Sequence, residues 1–352
     1  MSSGDLGQGD EGVVGRPHRM ADNRMAMFYA GGERIDRFRG LATPALGPED
    51  WVASVTQLPG AAPGTGISWL PDGTSLRVAV DSDPVGWLGA ALATRWGGST
   101  GVLVKLLDAG ERLPVHCHPS RPFAAQHLAS PFGKTEGWVV LDDAPGGEVW
   151  LGWSEEVSVE RLRGWIEAQD ADAMLAVMNR MPAGPGDVFL VPAGVPHAIG
   201  PGVMITELQE PTAFSILAEH GRFGLDADGA TLGMGWETAL GAFDLSSWAG
   251  ERASVLRPRP AVLRDDADAR VQRLFAESTG EFFQALRVRV FGRYELPAGF
   301  AVLVIETGAG ELGWEGGRAQ VRKGETWVVP RGAGTLTVSG DVRLLVCLPP
   351  EA

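Results

Sequence analysis

Only two cysteines, two tyrosines and six histidines occur in the 352 residues. Cys117 and Cys347 are too few for a disulfide scaffold, fit a reducing compartment, and are expected to pack as small residues in strands. No run of 18 apolar residues exists, and the first 30 residues lack the apolar stretch of a signal peptide, so the chain reads as soluble and cytoplasmic. Positive charge is also in deficit. Thirty Lys and Arg stand against 44 Asp and Glu, a formal charge of −14. That balance excludes nucleic acid and anionic membrane as partners, because both demand basic surface. What remains is ordinary for a globular chain with a buried core: 44% of residues are hydrophobic.

Residues 1–27 are rich in Gly, Asp and Ser with no apolar period and read as a flexible tail, which would hold His18. Short apolar runs such as "SLRVAV", "GVLVKLL" and "GWVVLDD", separated by Gly, Pro and Asp, give residues 28–150 the rhythm of strands and turns. The spacing changes at 155–180, where two short helices are predicted, the second capped by Asp170. Strands resume with "GDVFLVPAG", a helical patch is expected around 233–247, and short strands return from 259 onwards. This divides the chain into a β-rich unit with a helical insert (28–225), a helical connector (226–258) and a second β-rich unit (259–352).

An internal repeat supports the division. "GDVFLVPAGVPH" (186–197) and "GETWVVPRGAGT" (324–335) share Gly, five residues, Pro, one residue, Gly, two residues, then His197 in the first copy and Thr335 in the second. Gly and Pro at these offsets imply the same strand and tight turn twice. No histidine follows His220, so only the first half can hold a histidine metal site.

The opening of that site is "GERLPVHCHPSRPFAAQHLASPFGKTE" (110–136). His116 and His118, two apart on a strand, face the same way at about 7 Å spacing. A lone pair of this kind more often packs in a barrel than binds metal. Combined with the motif ending at His197 and with "GKTE", the metal reading prevails. The pattern is that of the two motifs of the cupin β-barrel, and "VHCHP", "GKTEGWVVLDDAPGGEVWLGW", "GDVFLVPAGVPHAIGPGV" and "TELQEP" (206–211) resemble, in order, the type I phosphomannose isomerase family of zinc-dependent cupins. The similarity runs from about residue 28 to the end. It implies a mainly β chain of two jelly-roll cupin barrels with helical inserts, the second barrel lacking a metal motif.

By position, the resemblance implies His116, His118, Glu136 and His197 as ligands of one divalent metal per chain, Zn2+ being the family metal. It also implies a sugar or sugar phosphate as substrate and isomerisation between aldose and ketose through a cis-enediol. Lys134 shares a strand face with Glu136, a lysine beside a divalent cation is pushed towards its neutral base form, and Glu207 is expected in the same cavity. Lys134 as a solvated edge residue and Glu207 as a partner orienting a histidine are the plainer alternatives. Trp138 is a candidate sugar platform, whereas His127 and His220 read as bystanders. Another cupin metalloenzyme, an oxygenase or epimerase, and a silent sugar-binding cupin are the competing functions.

Three positions depart from the family. His116 replaces a glutamine, Pro114 stands where a serine faces the substrate phosphate, and the arginine after "ELQEP" is missing, the next being Arg222. Arg222 is the candidate substitute in catalysis or phosphate contact. Losing a guanidinium fork at a phosphate end points to an unphosphorylated or differently substituted sugar.

Overall fold

Three antiparallel sheets carry the chain in the computed structural model, which describes residues 12–351 apart from 44, 46 and 143–145. A six-stranded sheet runs in the order 24–25, 49–52, 103–108, 204–209, 136–142, 188–191, and a five-stranded sheet in the order 216–217, 116–117, 197–199, 148–153, 178–182. Both draw only on the first 217 residues. A nine-stranded sheet takes every strand from Ala261–Asp265 to Leu336–Leu348 and, at its edge, His18–Met20. Mainly β architecture with helical inserts is therefore what the chain adopts.

Burial alternates as strand pairing demands, and it also marks the sheets covered on both faces. Leu103–Asp108 and Met204–Gln209 are buried at every position, whereas Ala269–Arg273 buries only every second residue before its end. Between strands 49–52 and 103–108 lie three helices, Leu76–Ser82, Pro84–Leu88 and Ala90–Trp96. "SLRVAV", expected as a strand, is thus the start of a helix. Its apolar residues answer to a period of three and four, since Leu76, Ala79 and Val80 are buried while Val78 faces water. The two helices predicted in 155–180 are Val159–Ala168 and Ala171–Ala176, and the Asp170 side chain accepts a hydrogen bond from the Ala173 amide as the cap. Burying Leu162 and Ile166 fastens the first of them to the five-stranded sheet, at roughly 1.5–3 kcal/mol each.

Composition misled at the N-terminus. Residues 12–27 are not a free tail: His18, Arg19 and Met20 pair with Val328, Trp327 and Thr326, and Met20 and Met25 are buried. His18 stacks on Trp87 and its Nε2 lies 2.6 Å from the Val13 carbonyl oxygen. Residues 1–11 of the expected tail lie outside the described residues. One hydrophobic cluster runs from Met20 and Ile35 through Leu76, Trp87 and Val104 to Phe283, Val304 and Leu345, joining the two halves. A second hydrophobic cluster fills the nine-stranded sheet assembly around Leu303, Leu312, Val338 and Leu344. Cys117 and Cys347 are buried free thiols in strands.

Gly186 and Gly324, equivalent in the repeat, both adopt left-handed backbone, φ +96° and +86°, immediately before the strands Val188–Val191 and Thr326–Val329. A side chain at either position would strain the turn. Among the described residues no helix is long and apolar enough to cross a membrane.

Candidate metal centre

His116 and His197 are direct cross-strand partners, so their side chains leave the five-stranded sheet on one face. His118 follows one residue beyond the short strand and is tied to the repeat's turn, where the Gly194 amide donates to the His118 carbonyl at 2.7 Å. The three rings stand 4.0–4.9 Å apart between centroids, with one nitrogen from each within 4.8 Å of the others. The other nitrogens are already committed. Nδ1 of His116, His118 and His197 lies 2.8, 2.7 and 2.9 Å from the carbonyl oxygens of Pro114, Phe214 and Val195. A carbonyl can only accept, so each Nδ1 carries the hydrogen and each Nε2 keeps its lone pair. Burial pushes all three imidazoles well below their usual pKa, and for His116 and His197 the strongest charged contributor is a neighbouring histidine. They are neutral at pH 7, the state a metal requires.

The opposite wall is the six-stranded sheet. Here a row of cross-strand partners runs Trp51, Lys105, Glu207, Trp138, Phe189, one residue from each of five adjacent strands. Glu136, two residues before Trp138, shares its face. Gly133 makes the approach of Lys134 feasible, because a Cβ there would lie 2.6 Å from the Pro119 carbonyl oxygen. Lys134 Nζ consequently reaches His118 Nε2 at 3.2 Å and Glu136 Oε1 at 2.9 Å. Glu136 Oε1 is also 2.9 Å from His118 Nε2, and its Oε2 is 3.8 Å from His197 Nε2 and accepts from the Trp138 indole at 3.1 Å.

These residues fit a divalent metal. His197 Nε2 is buried with no hydrogen-bond partner among the described residues, and an ammonium already sits against the His118 lone pair and a carboxylate where a cation is favoured. The cluster that meets ligand spacing consists of the three histidines; Glu136 stands against two of them. His116, His118 and His197 could hold the ion, with Glu136 as the carboxylate nearest to them.

The same wall carries a charged cluster of which sequence reasoning found Glu207 and missed Lys105 and Glu49. Lys105 Nζ is 3.2 Å from Glu49 Oε2 and 3.6 Å from Glu207 Oε2, and 5.1 Å from the Trp51 ring centroid. Trp51 Nε1 donates to Glu49 Oε2 at 2.6 Å and the Tyr29 hydroxyl donates to Glu49 Oε1. Burial disfavours the Lys105 ammonium, but Glu207 and Glu49 outweigh it and its pKa lies above the usual lysine value. Burial also acts on the two carboxyls, in opposite company. Glu136, next to Lys134, is drawn down to about 2, while Glu207, facing the Glu136 charge, is pushed up to about 7. Of the two, Glu207 is the carboxyl that burial and the Glu136 charge hold towards its protonated form. A signal existed: the chain has only three lysines, and Lys105 and Lys134 are two of them.

Lys134, Glu136, Glu207, His116 and His197 line one cavity, with Pro114 and Trp138. Arg222 does not: it pairs with Glu111 at 2.9 Å and stands over Phe223, half-exposed. In this structure the arginine is tied to a carboxylate outside the lining rather than set against the other candidate residues. Trp138 is corrected too, since its ring is 1% exposed and set edge-on to His197, a packed support for Glu136 rather than an open platform. His127, on the helix Arg121–His127, stacks on Phe123 at the surface, and His220 packs on Trp236.

No family model matches the chain. Among curated proteins, a mannose-6-phosphate isomerase of Streptococcus mutans is 42% identical over 109 residues, 31% of this chain and 33% of that protein. One of Bacillus subtilis is 37% identical over the same length, so the match spans about a third of either relative. A probable mannose-6-phosphate isomerase of Bacillus subtilis is 25% identical over 252 residues, 70% of this chain and 75% of that one. Of solved structures, the mannose 6-phosphate isomerase from Bacillus subtilis superposes with a TM-score of 0.76 at 21% identity, covering 94% of this chain and 99% of the other. The apo mannose 6-phosphate isomerase from Salmonella typhimurium gives 0.73 at 15% identity, covering 95% and 99%. In sequence over part of its length, and in fold over nearly all of it, this chain is similar to proteins named mannose-6-phosphate isomerase.

Proposed function

We propose that the protein is a metal-dependent aldose–ketose isomerase, acting on a sugar or sugar phosphate through a cis-enediol. The observation that carries the reading is the cluster of three buried histidines, two of which line one cavity together with Lys134 and Glu207. His116, His118 and His197 with Glu136 would hold the ion, and nitrogen-rich ligands with one carboxylate suit Zn2+. When bound, such an ion supplies Lewis-acid polarisation of the sugar carbonyl.

The chain's own groups account for the proton. Isomerisation moves one hydrogen between C1 and C2 and a second between the two oxygens. A carboxyl whose pKa sits near 7 can take up and release a proton in neutral solution, and Glu207 is that group. Lys105 keeps a positive charge beside Glu207 and limits the cost of its ionised form. Lys134, lying between His118 and Glu136, is placed to donate to a sugar oxygen or to share the transfer with Glu207. The apolar surround of Leu107, Ile199 and Leu217 excludes water that would exchange with the moving proton. Two buried free thiols suit a cytoplasmic setting.

Purified full-length protein is expected to bind close to one equivalent of Zn2+ and, in deuterated solvent, to wash deuterium into C2 of an aldose. Zinc-loaded protein that exchanges no sugar, phosphorylated or free, overturns the reading.

A further inference from the structure

We propose that the sugar accepted here carries no phosphate: the substrate class is a neutral aldose and its ketose. The proposal rests on the isomerase reading and narrows it. Every lysine and arginine of the chain lies among the described residues, so the inventory of cations is complete. Only Lys105 and Lys134 line the cavity. Both are already matched, Lys105 by Glu49 and Glu207 and Lys134 by Glu136 at 2.9 Å. With Glu49 and Glu136 in the same lining, each ammonium group there faces a carboxylate.

The arginines beside the lining are occupied as well. Arg112, which precedes the lining residue Leu113, makes a two-pronged contact to Glu219 at 2.6 Å for each arm. Arg222, next to the Phe223 ring that packs edge-on against the lining residue Phe28, is paired with Glu111. What remains of the wall is apolar, Met27, Phe28, Leu113, Pro114 and Leu217, broken by the Ser215 hydroxyl. A phosphate dianion needs guanidinium forks or clustered amide donors to replace its hydration. Here it would meet hydrocarbon, the Ser215 hydroxyl, a Tyr29 hydroxyl already donated to Glu49, and lysines paired with carboxylates. Sugar hydroxyls ask for less: carboxylates and lysines satisfy them, and apolar side chains suit the C–H faces.

The experiment uses the full zinc-loaded chain in deuterated solvent, with mannose, fructose and a pentose set against mannose 6-phosphate and fructose 6-phosphate. Deuterium at C2 of the aldose or C1 of the ketose is read by NMR and kcat/KM determined for each. Neutral sugars are expected to exceed their phosphates by roughly 100-fold or more, the scale of an unpaired charge in a low-dielectric site. Phosphorylated sugars that exchange as well or better overturn the substrate class and leave the isomerase standing. Absence of exchange with every sugar removes both. In parallel, Ser215→Arg adds a guanidinium to the lining and is expected to shrink the neutral-to-phosphate ratio at least about tenfold. A folded variant with an unchanged ratio shows that missing charge is not what discriminates, and overturns the argument; the unmodified protein decides the matter if that variant does not fold.

Discussion

The repeated turn at 186–197 and at 324–335 is one scaffold put to two uses. In both copies a left-handed glycine starts a buried strand that ends at Pro192 or Pro330. Beyond the turn the first copy delivers His197 to a wall of buried ionisable groups, while the second delivers an exposed Thr335 and then Leu336, packed in an apolar interior. Backbone geometry can therefore be kept while the interior changes from hydrocarbon to charge. That change is costly in stability unless each charge has a partner. The six-stranded sheet supplies such partners in rows across its strands.

The comparison breaks most sharply at its last residue. His197→Ala is expected to lower metal affinity by more than about 100-fold, with sugar exchange lost in step, as read by metal analysis and deuterium incorporation. Next come the proton carriers. Glu207→Gln and Lys134→Met should each reduce kcat by about 10²–10⁴-fold while zinc content stays near one equivalent, which separates proton transfer from metal loss. In the apolar interior the currency is stability instead: Leu344→Ala is expected to cost about 2–5 kcal/mol in denaturant unfolding, with the metal still bound.

A pH comparison is subtler. Glu207 is raised from 4.5 to about 7 on folding, so the native state holds a proton that the unfolded chain releases. Its contribution to stability is present below about 4.5 and fades as pH rises through about 7. Metal-free protein should lose more stability between pH 5 and pH 8 than Glu207→Gln does, measured by urea unfolding; equal losses contradict the assignment. Smallest of all, Thr335→Ala, at the position matching His197, should change stability by no more than about 0.5 kcal/mol and leave exchange untouched.

Where local spacing governs, the sequence reads well. His116 and His118 share a strand face because side chains alternate, and the Gly and Pro offsets put His197 at the end of a defined turn. The Asp170 cap and the strands from residue 261 onwards are equally local. "SLRVAV" failed because β-branched residues suggest a strand while their spacing suits a helix, and packing against Val302 and Leu345 decided for the helix. The folded stretch 12–27 failed for a related reason: a short edge strand carries almost no pattern, and only the partner strand 326–329 gives it a place.

The sequence by itself determined the histidine pair and the turn that ends at His197, the repeat and the lack of histidine after His220, because each depends on residues a few positions apart. Tertiary structure alone decided that Lys105 and Glu49 join Glu207, that Arg222 stands outside and that, among the described residues, the lysines lining the cavity are paired. Those facts depend on the register of strands 49–52, 103–108 and 204–209. Register is set by which faces bury their apolar residues across the whole sheet, a condition that no short window of sequence contains.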